Sequence, residues 1–148
     1  MEVLHSKRVM DDPFKKNAKY SDLDSIPEGW VGELVDGNLH ASPRPRSIHA
    51  GAIGSVHLQL GPCSTDRSSK GWVILIEPEI RFGKNLLVPD LAGWRRSRMP
   101  TMPDVATFKL APDWVCEGLS PSTVGLDKGR KREIYGHAKV GQDRKSVV

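Results

Sequence analysis

Cysteine is almost absent from this sequence. Of 148 residues only Cys63 and Cys116 are cysteines, in no metal-like spacing, which argues against a disulfide framework. Long apolar runs are missing as well: none approaches the ~20 residues that span a bilayer, so no membrane partner is expected. The opening "MEVLHSKRVMDDPFKKNAKY" lacks the apolar core of a signal peptide, and residues 1–19 read as a flexible arm. A cytoplasmic location is therefore expected. Neither sign of charge dominates, with 22 Lys and Arg against 18 Asp and Glu, a net charge of +4 and a pI near 9.2. That balance permits nucleic-acid binding without establishing it. What is present, 38% hydrophobic and 27% charged residues, suits one globular domain with a workable core.

Along the chain, "YSDLDSIPEGW" opens with Ser21 as a candidate N-cap for one helical turn that Pro27 and Gly29 would end. "GELVDGNLHAS" alternates around Asp36-Gly37, the dipeptide of a two-residue hairpin turn, and "PRPRS" (43–47) reads as a loop. Helical spacing of Ile48, Ala52, Ile53, Val56 and Leu60 predicts an amphipathic helix over 47–61. "GWVILIEPEIRFG" reads as a buried strand continuing into a more exposed one, and "NLLVPDLAGWR" and "DWVCEGLS" as further strands. "SRMPTMPDVATFKLAPD" should be an ordered loop, while "TVGLDKGRKREIYGHAKV" reads as a helix after a break at Ser120-Pro121. The order implies an α/β protein, a mixed sheet flanked by helices.

Asp90 and Glu117 each interrupt an apolar strand. A lone carboxylate there is costly unless paired or metal-bound. On adjacent strands roughly 4.8 Å apart, the two side chains can converge on one face. Two close carboxylates repel unless a proton or cation lies between them, and an oxygen-only site suits Mg²⁺. Either carboxylate could instead cap a turn or pair with an arginine. Further on, Asp127, Lys131 and Tyr135 stand at i, i+4 and i+8, along one helix face. Basic residues cluster in "WRRSR" (94–98) and "DKGRKR" (127–132), as solvated faces or as phosphate contacts.

The segments "YSDLDSIPEGW", "GELVDGNLHASPRP", "GWVILIEPEIRFG", "LLVPDLAGWRRSRMP", "LAPDWVCEGLSPST" and "LDKGRKREIYGHAKVG" together resemble the Uma2 family of restriction endonucleases, built on the PD-(D/E)XK nuclease fold. The resemblance covers roughly residues 20 to 140. It implies a restriction-endonuclease-like sheet, a nuclease domain over 20–141, and a metal-dependent endonuclease acting on DNA with Mg²⁺ or Mn²⁺. Asp90 and Glu117 take the places of the two motif carboxylates, as catalytic residues and metal ligands. The third motif position holds Leu119 instead of a lysine. Family members look as though that lysine has moved to the following helix, which makes Lys131 the catalytic candidate and Lys128 the fallback. Glu33 and His49 match family positions and are accessory candidates, with Glu79, Asp127 and Tyr135. Arg95, Arg96, Arg98, Arg130 and Arg132 are candidate nucleic-acid contacts. The resemblance leaves room for a homodimer.

It ends after "YGHAKVG", where a further strand pair is expected. The chain closes instead on "QDRKSVV", polar and without a strand pattern, and "DRKSVV" is what a widely used sequencing adapter encodes. Residues 142–148 therefore read as a non-family tail and sequencing artefact, with the C-terminal strands missing. Two other functions stay open. One is a non-catalytic nucleic-acid-binding or interaction protein on a nuclease scaffold, which Leu119 and the short C-terminus favour. The other is a metal-dependent hydrolase of some other phosphodiester.

Overall fold

The computed structural model describes residues 14–118 and 127–143. Asp36 and Gly37 both adopt positive φ, 50° and 79°, so the chain reverses within two residues and joins strand β1 (Trp30–Val35) to β2 (Asn38–Pro43). The expected hairpin is thus present. Before it, a 3₁₀ turn over Tyr20–Ser25 packs Leu23 and Ile26 onto Leu34, Leu39 and Leu86. Its N-terminus is closed by Asp22, whose Oδ2 accepts the Lys19 N–H at 2.7 Å, and Ser21 lies inside the turn instead of capping it.

Helix α1 (Ser47–Gln59) forms where the apolar spacing places it, and α2 (Gly61–Thr65) follows. Its buried face is narrower than expected: Ile53 is buried while Ile48 is 77% exposed. The next two apolar runs each break in the middle. Strand β3 (Trp72–Ile76) ends at Glu77, which takes φ +47° ahead of Pro78, and the chain resumes as β4 (Ile80–Phe82). Likewise β5 (Asn85–Leu87) and β6 (Leu91–Arg95) are separated by Val88, Pro89 and Asp90. Proline gives no N–H to a ladder, and in both runs the break is where the chain leaves one sheet for another. The loop before β7 (Trp114–Cys116) is ordered by a bridge between Ile80 and Phe108.

In place of one mixed sheet there are two of four strands, ordered β2-β1-β5-β4 and β3-β6-β7-β8. Between these strands all described pairings are antiparallel except β7 with β8 (Gly141–Asp143), which is parallel, as is the isolated Ile80–Phe108 bridge. Strand β8 corrects the reading of the tail as free of strand structure through its first residues: an edge strand needs backbone partners, and β7 supplies them without apolar side chains. Between Asp127 and Lys131 the chain makes a π-helical turn that runs into α3 (Arg132–His137). The expected start of that helix before Asp127, the Ser120-Pro121 break and Leu119 lie outside the described residues.

The main core sits between the sheets and α3. It joins Val35, Ile80 and Leu87 of the first sheet to Val73, Ala92, Trp94 and Val115 of the second and to Ile134 and Tyr135. Trp94 stacks on Phe108 at 4.9 Å and donates its indole N–H to the Leu110 carbonyl at 2.9 Å, so its polar edge is satisfied within the core. On the other face of the second sheet, α1 packs Ile53 against Leu91 and Cys116. Helices thus cover both faces of the sheet that carries Asp90 and Glu117 at its end.

Candidate functional site

Strands β6 and β7 pair with Leu91 opposite Cys116, and Asp90 and Glu117 each lie one residue beyond this last pair. Directly opposed residues bring their Cβ atoms to within about 5 Å. The two carboxylates that the sequence singles out are therefore neighbours at the point where both strands end.

Each is held by the chain itself. Asp90 Oδ2 accepts the Gly118 N–H at 2.6 Å, and its Oδ1 lies 3.0 Å from His49 Nε2. An ionised carboxylate only accepts, so Nε2 carries the hydrogen in this contact. Gly118 is required here: a Cβ at that position would stand 2.6 Å from His49 Cε1 and 3.0 Å from Ile53 Cδ1. On the other side, Tyr135 donates its hydroxyl to Glu117 Oε1 at 2.8 Å, and Lys131 Nζ reaches the same oxygen at 2.8 Å. Lys131 also pairs with Glu33 Oε1 at 2.9 Å, and Glu33 accepts the Val88 N–H at 2.7 Å.

Lys131 is only 2% exposed, among the few charged side chains drawn fully into the molecule. Its two carboxylates offset the desolvation of the ammonium. The π-helical turn ending at Lys131 is a known device for re-aiming a side chain within a helix. Tyr135 lies a turn beyond, so two residues of the row predicted from spacing, Lys131 and Tyr135, meet at one carboxylate. Burial, with the Glu117 charge beside it, pushes the Tyr135 phenol well above its ordinary value; the Lys131 charge pulls weakly the other way. The phenol is a permanent donor.

Of the three carboxylates, Glu117 and Glu33 are bridged by Lys131, and Asp90 is tied to the backbone beside Glu117. They come from β1, the β5–β6 junction and the end of β7. Among the described residues no group of three or more His, Cys, Asp or Glu side chains is arranged to hold a metal ion. The Asp90–Glu117 pair nevertheless fits a small hard cation. Both donors are oxygen, Mg²⁺ takes one or two protein carboxylates, and each Asp90 oxygen has two lone pairs, which the one hydrogen bond described for it does not exhaust.

The other candidates are placed elsewhere. Glu79 accepts hydrogen bonds from Tyr20 at 3.3 Å and Thr107 at 3.1 Å, away from the carboxylate group. Arg95 lies over the Trp72 ring at 4.7 Å, Arg96 donates to the carbonyls of Asp66 and Ser64, and Arg98 pairs with Asp113 at 2.9 Å. Arg130 bridges Asp36 and Glu133, and Arg132 is exposed on α3. The side chains of Asp127 and Lys128 lie outside the described residues. Sequence reasoning missed Val88 and Gly118, because a backbone N–H has no residue signature; the glycine directly after Glu117 was the one available sign.

Comparison with known proteins bears on family and fold. The family model Uma2, described as "Putative restriction endonuclease", matches residues 18–142. Among solved structures, one from Anabaena variabilis ATCC 29413, described as "a putative nuclease belonging to DUF820", superposes with a TM-score of 0.63 at 22% identity. The match covers 82% of this chain and 68% of that one, a likeness of fold. No curated protein matches.

Proposed function

The chain belongs to the Uma2 family, and from that premise we propose that it is a metal-dependent endonuclease hydrolysing phosphodiester bonds in DNA. The observation that carries this reading is the bridging of Glu33 and Glu117 by Lys131, with Asp90 held to the backbone beside Glu117 through the Gly118 N–H, by segments from both sheets and α3. Asp90 and Glu117 hold Mg²⁺ or Mn²⁺, which when bound supplies Lewis-acid stabilisation of charge on a phosphoryl oxygen. His49 and the Gly118 N–H fix the rotation of the Asp90 carboxylate, and Tyr135 fixes that of Glu117. Lys131 brings a positive charge to the same oxygens, where it counters the negative charge that builds on the phosphate as water attacks. It fills the role of the lysine missing at position 119.

A second reading, a nucleic-acid-binding scaffold without catalysis, is favoured by one feature: Lys131 already bridges Glu33 and Glu117, as a purely structural ion pair would. One experiment separates the two. Plasmid and single-stranded DNA are incubated with the protein in Mg²⁺ or Mn²⁺, beside Asp90→Asn and Lys131→Met. The endonuclease reading expects cutting by the wild type and a loss of at least about a hundredfold in either variant. A folded wild type that cuts nothing with either metal leaves the scaffold reading in its place.

A further inference from the structure

We infer that Arg44 and Arg46, on the loop between β2 and α1, contact the phosphodiester backbone of the nucleic acid at the carboxylate group. This rests on the nuclease reading and names the side chains that hold its substrate. A site lined by Asp90, Glu117 and Glu33 repels a phosphodiester, so cationic groups must stand close beside it. The basic clusters legible in the sequence are mostly engaged by the protein itself: Arg95 on Trp72, Arg96 on two carbonyls, Arg98 on Asp113, Arg130 on Asp36 and Glu133.

The 43–47 loop reaches Asp90 by two separate routes. Arg46 is the N-cap of α1 and its carbonyl accepts the Ala50 N–H at 3.0 Å, so it is already in register with the helix. His49, three residues on, touches Asp90. Arg46 thus sits at the helix end that carries the His49–Asp90 contact, one turn from His49. Arg46 is exposed and pairs with no carboxylate among the described residues. The second route runs through Glu77. Its N–H donates to the Asp90 carbonyl at 3.1 Å, and its carboxylate receives Arg44 Nη1 at 2.5 Å. That contact uses one of the five guanidinium N–H donors, and the Arg44 side chain remains 60% exposed.

The loop is also stiff. Pro43 and Pro45 fix their own φ, Arg46 is extended at φ −69° and ψ 161°, and the Arg44 N–H is tied to the Gly29 carbonyl at 3.0 Å. Little backbone freedom remains to be lost when a phosphate binds. Arginine suits the task because its planar fork matches two phosphate oxygens at once. Such contacts fix register and orientation without reading sequence.

The test measures binding of end-labelled DNA and RNA strands of one sequence, in EDTA, by fluorescence anisotropy across a salt series. The full chain is compared with Arg44→Gln/Arg46→Gln and with a control pair of equal charge loss at exposed residues before β3, Arg67→Gln/Lys70→Gln. The expected result is at least about fivefold weaker binding by the first pair, with a log–log salt slope shallower by about two, and wild-type behaviour by the second. Equal loss on DNA and RNA is expected, since the phosphates are shared, and the tighter wild-type ligand identifies the natural one. If the wild type binds and Arg44→Gln/Arg46→Gln binds equally well, the inference is overturned while the nuclease reading stands. A wild type that neither binds nor cuts nucleic acid overturns both.

Discussion

Tyr135 is the residue whose ionisation folding alters most visibly. In an unfolded chain its phenol titrates near 10, and in the fold burial raises it well above that. Between those two values the unfolded chain loses a proton that the folded one keeps. Stability is therefore fully present below pH 10 and falls as pH rises beyond it, by up to about 1.4 kcal/mol per unit. Tyr135→Phe cannot titrate, so the wild type should lose stability relative to this variant above pH 10, as read from urea unfolding at pH 9 and 10.5. At pH 7 the same variant should be less stable by about 1 kcal/mol, because Glu117 loses a buried donor. No difference in pH dependence between the two proteins would place the phenol in a solvated setting.

The seam between α1 and the end of β7 is an element-scale feature, since the helix comes close enough for His49 to reach Asp90 only where residue 118 has no side chain. Gly118→Ala should push the helix start away at a cost of about 1–3 kcal/mol, with an unchanged m-value in chemical denaturation. At this scale the legible features were those with local causes. Asp36-Gly37 announced its hairpin because both residues accept positive φ, and the spacing of Lys131 and Tyr135 announced their shared face. The family pattern, more than any local rule, pointed to Glu33 and His49. The transfers between sheets were hidden: Trp72 to Phe82 reads as a buried strand continuing into a more exposed one and Asn85 to Arg95 as one strand, because side-chain pattern carries no mark of a change of partner strand. The narrow contact face of α1 was hidden too, since Ile48 has the right spacing but no neighbouring element to cover it.

Across the whole molecule, one ammonium ties together residues 98 positions apart. Lys131→Met keeps the stem in its apolar surroundings and removes the charge, leaving Glu33 and Glu117 facing each other without it. The expected loss is about 3–5 kcal/mol. Adding Glu33→Gln should recover part of it, which a double-mutant cycle in urea would show as coupling between the two positions. Fully additive effects would mean that the pair contributes nothing to holding the sheets together.

That tie has a consequence for the cell that makes the protein. Asp90 lies where the chain passes from the first sheet to the second, Glu33 belongs to one sheet, Glu117 follows a strand of the other, and Lys131 comes after all three in the sequence. A ribosome-bound or half-folded chain has the carboxylates scattered and the ammonium not yet delivered. On the nuclease reading the site would thus stay inert in such a chain, complete only when the segment that carries Lys131 docks.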